Sequence, residues 1–178
     1  QEIILPALWE QKTFVDKAGE EILKQMYAFK DKGDRDICLI PEATAIIEEL
    51  YKSGWEKTLP KPIRLFYVAK CYRYERPQEG RYREFTQFGI ELLGNKKGDL
   101  EEVQEVLNKI VNQFPELNLE IKSNVKRGLD YYVEDGFEVE CPILGAQKQV
   151  LGGGRYSSGI GFALGIERFL LAKKLQKN

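Results

Sequence analysis

The sequence predicts an α+β domain built on a mainly antiparallel sheet flanked by helices, and three observations carry that prediction. Two long β-prone segments, residues 63–75 and 83–94, flank a short loop containing Gly80, the pattern of an antiparallel hairpin. Residues 99–114 (DLEEVQEVLNKIVNQF) repeat apolar side chains at helical spacing. Shorter strands follow, separated by glycine-containing breaks. With 178 residues the chain suffices for one compact domain and is short for two, so residues 1–178 are read as one unit.

Each element has a local reason. Residues 2–9 (EIILPALW) read as a strand interrupted by Pro6. Residues 14–29 mix helical and extended signals around Phe14, Ile22, Met26 and Phe29. DKGDR at 31–35 is a polar turn, and ICLI at 37–40 a short buried strand. Pro41 opens a helix over 42–52 whose apolar side carries Ala45, Ile46, Ile47 and Leu50. LPKP at 59–62 punctuates before the hairpin. In helix 99–114, Asp99 is the candidate N-cap, and Glu101, Glu102 and Glu105 join it on a face read as solvated. LNLEIK at 117–122 alternates as a half-buried strand, and 128–141 and 147–152 supply two more. GGGRYSSGIG at 152–161 reads as a glycine-rich break before a terminal helix, whose last-turn lysines suit the helix dipole.

Composition narrows the function classes. Hydrophobic residues make up 43% and charged residues 31%, the profile of a globular protein. The 27 basic and 28 acidic residues nearly cancel, which excludes a broad electrostatic coat for nucleic acid but leaves room for a local basic groove. Cys38, Cys71 and Cys141 form no CxxC pair, which argues against a disulfide framework or structural zinc and points to a reducing cytoplasm. The chain has no histidine, so Ser-His-Asp triads, Cys-His dyads, HExxH metal sites and any imidazole base are ruled out. No run reaches the roughly 18 apolar residues of a membrane helix, and QEIILPALWEQ at 1–11 has no signal-peptide pattern. Opening on Gln1 within an apolar stretch reads as a truncated start.

Side chains alternate across a strand, so the hairpin can be sorted by parity. Ala69, Cys71, Arg73 and Glu75 share one face of the first strand. On the second strand Thr86, Phe88, Ile90 and Leu92 make an apolar, core-facing side, while Phe85, Gln87, Gly89 and Glu91 share the other. That polar row suits a ligand floor: an aromatic to stack a planar ring, an amide and a carboxylate for hydrogen bonds, and a bare backbone for close approach. The competing reading is the solvated face of an edge hairpin.

The motifs themselves resemble a known family. CYRYERPQEGRYREFTQFGIELLG (71–94) resembles motif 2 of the class II aminoacyl-tRNA synthetases, in the version carried by histidyl-tRNA synthetases. RGLDYY (127–132) and LGAQKQVLGGGRY (144–156) are similar to that family's two histidine signatures, the second in archaeal and eukaryotic style. GFALGIERFLL (161–171) resembles motif 3, QEIILPALWEQ the strand ending motif 1, and LIPEATA (39–45) the loop for the substrate amine.

The resemblance implies a class II catalytic core with ATP and Mg²⁺ as cofactors and histidine as substrate. It places Arg73 on the α-phosphate, Glu75 on the adenine amino group and Phe85 against the adenine ring. Arg81 and Arg83 become candidates for the β- and γ-phosphates, and Arg168 clamps the γ-phosphate. Glu42 and Thr44 take the α-amino group, while Gln87, Glu91, Tyr131 and Tyr132 bind the rest of histidine. Arg127 is implied as the cationic catalytic group beside the α-phosphate and the amino acid, with Arg73 as the second catalytic residue. No residue is implied as a dedicated metal ligand. Adenylation builds negative charge on phosphorus, so fixed arginines serve it better than a general base.

Departures from the family pattern keep two function classes open. Ile40 stands where an arginine is usual, Thr86 where a histidine is common, and Ser157 where an aspartate normally follows GGGRY. The segment between GGGRY and GFALG is short, residues 95–126 replace an insertion domain, and neither the long motif 1 helix nor an anticodon-binding domain is present. The chain therefore reads as a fragment, a minimal core or a stand-alone paralogue. It is expected to activate histidine, with weak tRNA affinity and at most a weakened homodimer, and with no membrane partner. The alternative is a non-catalytic histidine-binding paralogue, like the synthetase-like regulatory subunit of ATP phosphoribosyltransferase.

Overall fold

The computed structural model describes residues 1–17, 19–94, 97–126, 132–134 and 136–177, with the backbone alone at 19–21. A six-stranded antiparallel sheet organises it, in the order β4 (Ile63–Tyr72), β5 (Glu84–Leu93), β9 (Gly159–Gly165), β8 (Gln149–Tyr156), β7 (Gly136–Glu140), β6 (Glu120–Val125). A smaller sheet sets β3 (Asp36–Leu39) between β1 (Leu8–Glu10) and β2 (Ala28–Lys30). Short helices α1 (Gln11–Val15) and α2 (Gly19–Gln25) link β1 to β2. Helix α3 (Thr44–Leu50) continues through a wider turn at Tyr51–Trp55 into α4 (Glu56–Thr58). Helices α5 (Asp99–Gln113) and α6 (Ile166–Leu175) complete the fold. Among the described residues, no helix is long and apolar enough to cross a membrane.

Two cores cover the two faces of the main sheet. On β4, Ile63, Leu65, Tyr67, Ala69 and Cys71 are buried while Arg64, Phe66, Val68 and Lys70 are exposed, a clean period-two pattern. The buried set joins Phe14, Ile40, Ile46, Ile47 and Tyr156 in the front core, beneath α1 and α3. Leu92, Phe137, Val139, Leu151, Ile160, Phe162 and Leu164 point to the back, where Val103 and Leu107 of α5 and Ala172 of α6 close over them. Burying each such side chain contributes about 1.5–3 kcal/mol.

Several sequence expectations are corrected here. The long strands hold, but the glycine-rich stretch 152–161 is not a break: β8 runs to Tyr156, Ser157 and Ser158 turn, and β9 starts at Gly159. Its glycines answer close approach, since a methyl on Gly153 would lie 2.3 Å from the Gly161 carbonyl oxygen. Of residues 2–9 only Leu8 and Trp9 enter a strand, while Glu2 bridges in parallel to Phe66 on the free edge of β4. Helix α3 starts at Thr44 rather than 42, because both Glu42 carboxylate oxygens accept backbone N–H groups, from Thr44 at 2.8 Å and Ala45 at 2.9 Å. Of LNLEIK at 117–122, Leu117 and Leu119 are buried and Asn118 and Glu120 exposed, the alternation expected, but the strand begins only at Glu120 and, as the outer edge β6, is exposed through Asn124. Gly98, at φ 78°, is the N-cap of α5. Asp99 is fully buried rather than solvated, where the Arg155 guanidinium donates both ways, at 2.9 and 2.5 Å. Of the 128–141 strand, Gly136–Glu140 is observed.

Candidate active site

The front face of the sheet is paved with small residues. Gly89 pairs with Ala163, Ala163 with Gly152 and Gly152 with Glu138, so the four lie in one transverse row. The next row is Glu91, Gly161 and Gly154, and the one beyond is Leu93, Gly159 and Tyr156. A trough forms where side chains are missing. A cleft of about 370 Å³ lies over the first row and is bordered by Phe85 and Gln87 of β5, the 73–82 loop, Glu42 and Thr44, Tyr132 and Arg168.

One end of the cleft is basic. Arg168 donates from Nε to the Gly80 carbonyl (2.6 Å), from Nη1 to the Gln149 carbonyl (2.8 Å) and from Nη2 to Gln147 Oε1 (2.9 Å). These contacts pin the hairpin loop to β8 and to the turn before it. Burial, with the added positive charge of Arg81 and Arg73, lowers the proton affinity of Arg168 below the ordinary arginine value. Arg73 lies 5.2 Å over the Phe85 ring and donates from Nε to the Pro41 carbonyl at 3.0 Å, tying the hairpin to the segment that carries Glu42. Arg81 stands 3.6 Å from the Glu75 carboxylate. The positive charge of Arg73, Arg81 and Arg168, offset in part by Glu75, suits this end to an anion.

The other end is acidic and hydroxyl-rich. Cys71, whose thiol burial pushes up to about 12, donates to Gln87 Oε1 at 3.3 Å and leaves the amide nitrogen as the donor for the cleft. Behind Thr44 lies Glu91, 2% exposed, accepting from Thr44 Oγ1 and from the Tyr156 hydroxyl, each at 2.7 Å. Burial pushes Glu91 up to about 8, with the negative charges of Glu42 and Glu48 adding and the two hydroxyls opposing. Its neighbours Tyr67 and Tyr156 are raised well above the ordinary tyrosine range, chiefly by burial and then by Glu91. The glycines make this cluster possible: a methyl on Gly161 would sit 1.9 Å from Glu91 Oε2 and one on Gly89 2.1 Å from the Tyr67 ring.

Of the candidates named from sequence, Glu42, Thr44, Arg73, Glu75, Arg81, Phe85, Gln87, Tyr132 and Arg168 border this one cleft. Two are brought elsewhere. Arg83 stacks at 4.4 Å on exposed Tyr74 and donates to the Glu75 carbonyl at 3.0 Å. Glu91 sits beneath the floor rather than on it. Arg127 and Tyr131 lie outside the described residues.

Residues 27–158 match the model of the tRNA synthetase class II core domain (G, H, P, S and T). The chain belongs to this family. The histidine–tRNA ligase of Pyrococcus abyssi is 45% identical over 114 residues, covering 64% of this chain and 26% of that protein. That of Sulfolobus acidocaldarius is 49% identical over 115 residues, covering 64% and 27%. The apo histidyl-tRNA synthetase of S. aureus superposes with a TM-score of 0.79 at 30% identity, over 99% of this chain and 61% of that one. A pyrrolysyl tRNA synthetase of Desulfitobacterium hafniense shares the fold, with a TM-score of 0.71 at 20% identity. The chain thus spans about a quarter of the length of the curated relatives it matches.

In this class II core, sequence reading missed Tyr156 and Glu138. Tyr156 is hidden because the glycines of 152–161 read as a break; the alternation that places Gly152, Gly154 and Tyr156 on one face is the available signal. Glu138 borders the cleft beside its cross-strand partner Gly152, a pairing no local signal gives. Glu167 accepts from the Thr86 N–H and hydroxyl at 2.7 and 2.8 Å and anchors the start of β5 to α6.

Proposed function

We propose that this chain binds ATP and histidine in the cleft and joins them as histidyl-adenylate, with tRNA(His) as the acceptor of a second step. A single observation carries the reading: one cleft presents Arg73, Arg81 and Arg168 at one end and Glu42, Thr44 and Gln87 at the other, with Phe85 between an arginine and the open floor. A triphosphate fits the first end and a zwitterionic amino acid the second. The amino acid carboxylate then attacks the α-phosphorus, forming the acyl–O–P bond as the Pα–O bond to pyrophosphate breaks. Arg73, fixed by Pro41, steadies the charge that builds on that phosphorus, and Arg127 is proposed as its partner there. Phe85 is proposed to stack the adenine and Glu75 to accept from its amino group.

Glu91 is proposed to select the side chain through Thr44, which it holds at the border of the cleft, because a buried carboxyl without a cationic partner among the described residues favours a ligand that brings a basic ring. Among the described residues no group of three or more carboxylates or thiols could hold a metal. Magnesium is proposed to ride on the nucleotide phosphates, with Glu138 among the carboxylates that border the cleft, and would neutralise phosphate charge when bound.

The test is calorimetric titration with ATP and, separately, with histidine, histidinol and an aliphatic amino acid. Saturable heats for ATP and histidine, weaker for histidinol and absent for the aliphatic amino acid, are expected. Equal heats for all amino acids would refute the selective role of Glu91.

A further inference from the structure

We infer that Glu48, which does not touch the cleft, is a positioning residue for the pocket that would receive the amino acid side chain; this rests on the amino-acid reading above. Glu48 is 2% exposed and lies one helical turn beyond Thr44 on α3. It accepts from Ser157 Oγ at 2.6 Å and Ser158 Oγ at 3.4 Å, the two residues of the β8–β9 turn. Lys52 Nζ approaches at 2.8 Å and Lys17 Nζ at 3.7 Å. Tyr156 immediately precedes that turn and donates to one oxygen of Glu91, while Thr44 donates to the other. The contacts close a ring: Thr44 along α3 to Glu48, across to Ser157, back one residue to Tyr156, and through Glu91 to Thr44.

The ring joins α3, β5 and β8 at the acidic end of the cleft and fixes both hydroxyls on Glu91 at once. Removing the Glu48–Ser157 contact frees the turn to carry Tyr156 away from Glu91, with no direct loss of a group in the cleft. Glu48 acts by charge as well. Burial opposes its ionisation, but Lys52, Ser157 and Lys17 outweigh that and hold it below the usual glutamate range. It is thus a standing negative charge near Glu91, which is faced by Glu42 and Glu48 from the α3 side, by Tyr67 from β4 and by Tyr156 from β8.

The experiment measures histidine and ATP binding separately, across pH 5.5 to 9, for the unaltered chain, Glu48→Ala, Ser157→Ala and the double variant. Each single change is expected to weaken histidine about tenfold and to leave ATP within about twofold. The double variant should bind no worse than the weaker single, because both remove one contact. Glu48→Ala alone should also shift the pH midpoint of histidine binding downward, since Glu91 loses a neighbouring charge; Ser157→Ala should leave it in place. A purely structural role would lower melting temperature and weaken both ligands together with the midpoint fixed, and that result overturns the inference. Unchanged histidine affinity in both variants overturns it as well. No histidine binding by the unaltered chain at any pH defeats the amino-acid reading itself, and the inference with it.

Discussion

Replacing Glu91 with glutamine should make the empty protein more stable and its histidine binding worse. Burial holds the Glu91 carboxyl at about 8 against an ordinary value of 4.5. A folded-state value raised this far means that stability is fully present below about pH 4.5 and lost as pH rises through about 8. At one pKa unit per 1.36 kcal/mol, holding this carboxyl in the fold at pH 7 costs about 3 kcal/mol relative to a group that never ionises. Glutamine keeps one acceptor for Thr44 or Tyr156 and turns the other contact into a donor, giving back about 1 kcal/mol. The net gain of about 2 kcal/mol corresponds to a rise of about 4–8 °C in melting temperature for a chain of this size. The same change removes the charge offered to a basic ring and should weaken histidine binding by about 1–3 kcal/mol, with ATP affinity unchanged. Thermal melts from pH 4 to 8 with histidine titrations decide: the variant should lie about 1 kcal/mol below the parent near pH 4, where the charge cost vanishes, and rise above it with increasing pH. A variant less stable than the parent at pH 8, or one that binds histidine equally well, would refute the reasoning.

Arg168→Ala should weaken ATP by about 1.5–3 kcal/mol while sparing histidine, and should speed amide exchange around Gly80, whose carbonyl loses its donor. Asp99→Asn should destabilise the fold by about 3 kcal/mol by leaving the Arg155 charge poorly paired, as read from denaturant melts. Arg155 holds Asp99 below the usual carboxylate range, so that deficit should be full near neutral pH and shrink in acid, as pH falls through the lowered Asp99 value. Gly89→Ala should cost about 1–3 kcal/mol or more through collision with the buried Tyr67 ring, measured by melting temperature; an unchanged melt would show that Tyr67 can move aside.

The sequence made the hairpin, helix 99–114 and most of the cleft legible because each carries a strictly local signal. Strand parity put Phe85 and Gln87 on one face, and the structure keeps them on one wall of one cleft. Parity could not say how deep each residue lies. Glu91 shares that face but is sealed under Thr44 and Tyr156, because burial depends on α3, fixed by contacts far away in sequence. Asp99 misled for the same reason: an acidic first turn looks solvated until Arg155, 56 residues on, is packed against it. The glycines of 152–161 misled most. Their flexibility suggested a break, whereas their lack of side chains serves cross-strand approach, a requirement visible only once Gly154 is opposite Gly161.

Histidine-dependent exchange of labelled pyrophosphate into ATP tests the central claim most directly. The purified chain should exchange label only with ATP, Mg²⁺ and histidine all present, and Arg127→Ala should slow it about 10²–10³-fold because its charge matters most as negative charge builds on phosphorus. Histidine binding without any exchange would contradict the account and leave a chain that senses histidine without activating it.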